Sequence, residues 1–326
     1  NRYFNFILKY LHFMLYYTTQ YLIPEGVVLM KLSKLLSLGT AFSLLVTSLS
    51  MPAMAVEPDP NEPSFSVYSP SFPDAYIITE VTPSAQYFDG ASGNLGSVTA
   101  TVFVEETYGM VDGELAVTES RLLTEEEVMA IGVDNFCDLS SVPAPKAATN
   151  SRGKLTITFS GSYRYVGNGV SCDLEGTADW DISGLNVPGA NFPATGDDFI
   201  GVTWAGSYTS SDYSISGKQH NGGTLDIYEY DSVPNTGRVW SFADLEPHPK
   251  YDFYATDIDL DMTITKNTLE GNGNTAEAVL KYIHTYSKVN GSISITPGNK
   301  TSPGSFSLSN TDKQWSIVCT VTDIPY

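Results

Sequence analysis

Carboxylates dominate the residues of this sequence that could do chemistry. Its 326 residues hold 37 Asp and Glu against 17 Lys and Arg, a formal charge of −20. Close pairs recur at Asp173/Glu175, Asp179/Asp181, Asp197/Asp198 and Asp244/Glu246. Glycoside hydrolysis needs two carboxylates across a cleft, about 5–5.5 Å apart for retention or about 6.5–9.5 Å for inversion. Among so many acids, however, pairs adjacent in sequence arise by chance. The run "DIDLD" spaces Asp257, Asp259 and Asp261 as a calcium loop would. Its sixth position is Met262 where Gly is required, and its twelfth is Thr268 where Glu is required. Alternation with Ile258 and Leu260 predicts instead a solvated strand face, with weak cation binding as the alternative.

The other reactive side chains are few. His220, His248 and His284 follow residue 55, none in an HExxH arrangement. His284, in "KYIHTY", is expected to pack or point outward from a strand, while His220 and His248 fall in loops. No GxSxG elbow, Walker loop or GxGxxG loop occurs. Cys137, Cys172 and Cys319 make no cluster of zinc spacing, and neither metal nor cofactor is expected. Export permits a disulfide. Cys137 with Cys172 would close a loop of about 35 residues, worth ~3–4 kcal/mol; Cys137 with Cys319, or three free thiols, are the alternatives. Trp180 and Trp315 lie in alternating segments and are expected in the core. Trp204 and Trp240 adjoin Gly-rich loops and are the binding candidates, because an exposed ring can stack on the C–H face of a sugar. The plainer reading is that they pack on strands, where aromatics are favoured.

The elements that must position these residues have period two. Val98, Ala100, Val102 and Val104 share one face of 96–106, with Phe103 an apolar exception on the other. Leu155, Ile157 and Phe159 alternate with threonines over 154–166, and Val170 through Ile182 alternate over 170–183. The intervening Gly167-Asn168-Gly169 predicts a hairpin, since these residues supply the positive φ of a tight turn. A second long pair is expected at 251–266 and 275–289 around "LEGNGN", and 290–297 and 313–324 read as strands. Between 184 and 250 lie short strands such as 201–208 and 224–230. One segment breaks the period: in 122–136, Thr124 precedes Glu127 by three residues and Gly132 stops the run, predicting a single capped helix that plugs one end of the fold.

The start of the chain reads as an export address. Met30-Lys31-Leu32-Ser33-Lys34 is a short basic segment, 35–49 an apolar run, and Ala53-Met54-Ala55 a cleavage box, so 30–55 is a signal peptide cut between Ala55 and Val56. Residues 1–29 are expected to be translated upstream sequence rather than native protein. Residues 1–55 carry Arg2, Lys9, Lys31 and Lys34 against Glu25, so the exported part is more acidic still. That disfavours nucleic acid and anionic membrane surfaces.

The expected fold is all-β: an antiparallel β-sandwich, single or double, with one short helix. Residues 56–73, rich in proline and acid, form a flexible leader; 74–190 and 191–326 are two β-rich regions meeting in the Gly/Pro-rich 183–198 stretch. The expected function is that of an exported bacterial protein with a non-catalytic binding role at or near the cell surface, its ligand a glycan or a surface protein. The mature form is not expected to insert in a membrane. A secreted polysaccharide hydrolase using a carboxylate pair, and a structural envelope protein, are the alternatives.

Overall fold

The computed structural model describes residues 65–86, 90–136, 150–181, 196–246, 253–270, 275–286, 291–309 and 313–326. The expected upstream stretch, the signal peptide and its cleavage point, Cys137, His248 and most of 183–198 lie outside the described residues.

The first strands in chain order are β1 (Phe65–Tyr68), β2 (Ile77–Thr82), β3 (Ala85–Gln86), β4 (Ser92–Val111) and β5 (Glu114–Leu122). Helix α1 (Glu125–Ile131) and a 3-10 turn (Val133–Phe136) follow. Then come β6 (Asn150–Val166), β7 (Gly169–Asp181), β8 (Asp197–Trp204), β9 (Thr209–Gln219), β10 (Ile227–Val233) and β11 (Gly237–Ala243). The last are β12 (Leu245–Glu246), β13 (Phe253–Lys266), β14 (Thr275–Thr285), β15 (Ile293–Thr296), β16 (Ser305–Leu308) and β17 (Gln314–Pro325).

A nine-stranded sheet runs β12-β13-β7-β6-β4-β2, with β9 on β13 and with β3 and β5 on β4; a six-stranded sheet runs β1-β17-β14-β8-β11-β10. Among the described residues every strand pairing is antiparallel. The inward residues follow the period of two. Register aligns Ala100, Ile157, Ala178 and Ile258 in one row across β4, β6, β7 and β13. Facing them from the other sheet are Ile200, Val202, Leu280, Ile317 and Cys319, all in one buried cluster. Each such aliphatic side chain is worth ~1.5–3 kcal/mol of burial. Small residues oppose large ones: a Cβ on Gly176 would stand 2.9 Å from Leu280 Cδ1. The outward row is polar, with Thr99/Thr158 and Thr101/Thr156 hydroxyl pairs each at 3.1 Å.

The β6–β7 hairpin turns through Gly167-Asn168, Gly167 taking φ of +60°, as the spacing predicts. Helix α1 carries both halves of the capping box: Glu127 N–H donates to Thr124 Oγ1 at 3.5 Å, and Thr124 N–H donates to Glu127 Oε2 at 2.9 Å. Such a cap is worth ~1 kcal/mol. Rather than plugging an end, α1 lies with the 3-10 turn over Phe103, packing Val128, Leu123 and Phe136 there. The apolar exception on β4 is therefore the foot on which the helix stands. Beside it, Arg121 joins Glu127 (2.7 Å) to Glu105 (2.9 Å), and Arg152 reaches Glu105 at 2.6 Å. Burial would raise the Glu105 pKa, but the Arg152 and Arg121 guanidinia outweigh it and hold it below the usual range.

Three expectations are corrected. The end of the leader is not flexible chain: Phe65–Tyr68 is β1, paired with β17, because Phe65 buries its ring in the core. Strands β13 and β14 are not a hairpin. β13 pairs with β7 and β9 while β14 pairs with β17 and β8, so the connection crosses from one sheet to the other. Cys172 and Cys319 are free thiols packed in the sandwich core, where burial pushes each up to about 12, and neither pairs with Cys137. β7 and β8, which flank 183–198, lie in different sheets, but the nine-stranded sheet takes strands from both expected regions, β4, β6 and β7 from the first and β9 and β13 from the second, and Pro63–Tyr326 forms one unit.

Candidate functional site

At one end of the sandwich the inward alternation stops being apolar. In β14, Leu280 and Tyr282 point inward, and the next residue of that parity is His284. In β8, Asp198 precedes the inward Ile200 and Val202; after β11, Asp244 continues the parity of Trp240 and Phe242. These three strands are neighbours, β14-β8-β11. From the facing sheet, Glu106 and Tyr108 extend the series Val98 to Val104 on β4. Glu106, Asp198, Asp244 and His284 are all fully buried.

The geometry is convergent. His284 Nδ1 lies 3.0 Å from Asp198 Oδ2 and 3.6 Å from Asp244 Oδ2, and Nε2 lies 3.2 Å from Glu106 Oε1. Ligand atoms of Asp198, Asp244 and His284 all fall within 4.8 Å of one another. Asp198 Oδ1 accepts from Thr285 N–H at 2.9 Å, and its Oδ2 accepts from the Tyr282 hydroxyl. Trp180 Nε1–H donates to Tyr282 Oη at 2.8 Å, and Tyr108 donates to Glu106 Oε2 at 3.1 Å. Trp315 sets its ring, tilted by 43°, with its centroid 4.8 Å from that of the imidazole, and donates Nε1–H to Ser120 Oγ at 3.0 Å. Burial works against an imidazolium here, but Asp198, Glu106 and Asp244 outweigh it and raise the His284 pKa well above its usual value. Burial and then Asp198 push the Tyr282 phenol well above its own.

The sequence named Asp198, Asp244 and His284 separately and passed over Glu106. Their meeting has a readable signal: each continues the inward parity of its strand. Charge argued for the outward face, and position prevailed. Asp198 and Asp244 are thus the members of the sequence pairs that converge, and they do so sealed from solvent rather than across a cleft.

Trp204 and Trp240 are not exposed. They retain 2% and 1% of their surface, because both sit on inward positions of central strands in the six-stranded sheet. Trp204 donates Nε1–H to Tyr208 O at 2.8 Å, and Trp240 packs 5.7 Å from Tyr213. Trp180 and Trp315 are in the core as expected. His220 accepts from Tyr254 N–H through Nδ1 at 3.1 Å.

The outer face of the nine-stranded sheet is where this molecule meets solvent with organised polarity. Asp259 and Asp261 are exposed between the buried Ile258, Leu260 and Met262, the solvated face the alternation predicts. Asp257 stands opposite Asp179. Burial and this facing carboxylate push Asp179 up to about 6. Because the folded value lies above the unfolded one, ionised Asp179 costs stability above pH 6, and the cost vanishes below about pH 4. Much of Asp179 is exposed, so solvent screening limits the cost to about 1 kcal/mol. Asp179→Asn is expected to stabilise the fold by that amount at pH 8, read as a higher urea midpoint with unchanged slope, and to leave the midpoint unchanged at pH 3.5; equal midpoints at pH 8 would contradict this.

Further along the same face, beyond the Asp179–Asp261 ladder, lies a groove of about 340 Å³. Ser171, Ser211, Thr263 and Thr265 give it hydroxyls, and Arg164 and Lys266 give it positive charge. Arg164 and the neighbouring Tyr165 are exposed. Among the described residues no helix is long and apolar enough to cross a membrane.

The fold and its sealed core define the class: an antiparallel all-β sandwich with a buried carboxylate–imidazole cluster. No protein-family model matches the chain, and no curated protein matches it. Among solved structures, the N-terminal domain of the Streptococcus gordonii adhesin Sgo0707 aligns over 79% of this chain and 83% of its own, at 7% identity and a TM-score of 0.14. A likeness of that size carries no argument about fold or function.

Proposed function

We propose that this is an exported bacterial β-sandwich that acts by binding at or near the cell surface, without a catalytic role, and that its ligand is a glycan. The basic segment, apolar run and Ala53-Met54-Ala55 box support export. The observation that carries the binding reading is the burial of the four clustered side chains, Glu106, Asp198, Asp244 and His284. Acid–base catalysis requires a carboxylate within hydrogen-bond reach of a substrate, and this cluster offers no such access.

The open groove supports the glycan as ligand. Its hydroxyls and Arg164 match a polyol or acidic sugar. The test is migration of the purified protein through native gels containing neutral and uronic-acid polysaccharides. Retardation by at least one polymer is expected, and Arg164→Ala should abolish it without lowering Tm. Unhindered migration through every polymer would remove the glycan and turn the reading to a protein ligand.

A further inference from the structure

We propose that Asp198, Asp244 and His284 Nδ1 hold one divalent transition-metal ion, zinc fitting best, while Glu106 orients the imidazole from its Nε2 side. This does not rest on the glycan reading. The first support is geometric. Donor atoms on a tetrahedral ion with bonds of about 2.0 Å stand about 3.3 Å apart. The Nδ1 separations from the two carboxylate oxygens, 3.0 and 3.6 Å, bracket that value.

The second support is the other face of the ring. A metal-bound imidazole characteristically donates its remaining N–H to a carboxylate, which fixes tautomer and orientation. Glu106 Oε1 stands 3.2 Å from Nε2 in that role, and its other oxygen, Oε2, accepts from the Tyr108 hydroxyl. Asp198 is likewise anchored, through Thr285 N–H and Tyr282.

The third support is independent of the acids. Ser151 stands directly opposite Glu106 on β6, so it shares the inward face. It is fully buried, and its Oγ has no hydrogen-bond partner among the described residues. Buried hydroxyls are nearly always satisfied, and this one, on the strand position paired with Glu106, is not. Charge points the same way: an imidazolium can offset one of three buried carboxylates, whereas a divalent ion offsets two. The mixed nitrogen and oxygen donors select zinc over calcium or magnesium, which take oxygen alone.

The test is calorimetric titration of the chelator-stripped, folded protein with Zn²⁺, alongside Mn²⁺ and Ca²⁺. One equivalent of Zn²⁺ per chain is expected. Asp244→Asn should weaken its uptake roughly a hundredfold or more and Glu106→Gln roughly tenfold, while Asp261→Asn on the solvated face leaves it unchanged. Should Asp244→Asn fail to fold, Glu106→Gln, which preserves volume and an acceptor for Nε2–H, carries the comparison. Uptake below about a tenth of an equivalent of each ion, or uptake lost in Asp261→Asn and kept in Asp244→Asn or Glu106→Gln, overturns the proposal.

Discussion

His284→Ala is expected to destabilise the sandwich by about 3–5 kcal/mol, the range found when one member of a buried ionic group is removed. The imidazole is fully buried and bridges the sheets, with Asp198 on one nitrogen and Glu106 on the other. Its loss would leave both carboxylates in the core without their shared partner and open a void beneath Trp315 and Trp180. A urea unfolding curve should shift to a lower midpoint with its slope unchanged. Removing Asp198 as well should cost less than the sum of the two single changes, because the residues act as one unit. A shift below about 1 kcal/mol in His284→Ala would show that the cluster does not hold the sheets together.

The second large effect is at Trp315. Its indole is fully buried and joins β17 to β5 through Ser120. Trp315→Ala should cost about 3–5 kcal/mol through the cavity it leaves. Trp315→Phe keeps an aromatic ring beside His284 but loses the N–H and part of the indole's volume, so about 1–3 kcal/mol is expected from the stranded Ser120 hydroxyl and the smaller void together. Chemical denaturation of the two variants gives the share of the loss that the remaining ring recovers. Equal losses, with nothing recovered, would contradict this.

Much of this fold is legible in the sequence because its elements obey local rules. The Gly167-Asn168 turn, the Thr124/Glu127 cap and the alternation on β4, β6, β7 and β13 each follow from chemistry within a few residues. What local rules do not supply is the partner. Alternation says which side of a strand is buried, not which sheet it joins, and so β13 and β14 look like a hairpin although they lie in different sheets. β1 is hidden for a related reason: four residues in a proline-rich stretch become a strand only because β17 offers an edge and the core admits Phe65.

The candidate site divides along the same line. Trp204 and Trp240 look exposed because Gly and Asn crowd their surroundings, yet their strands are central. Asp198, Asp244 and His284 stand out in the sequence as residues, Glu106 does not, and all four continue the inward parity of their strands. A charged side chain at an inward position is read as an outward one until a partner is known, and here the partners come from four different strands or their ends. Residue type and residue position disagree at those four places. The disagreement marks the cluster.

The central claim is binding without catalysis, and counting reducing ends tests it most directly. The purified protein is incubated with each polysaccharide that retards it, beside a heat-denatured control. The expected result is retention of the intact polymer with no release above the control. A steady rise in reducing ends, abolished by substituting a carboxylate pair, would contradict the claim and make the protein a hydrolase.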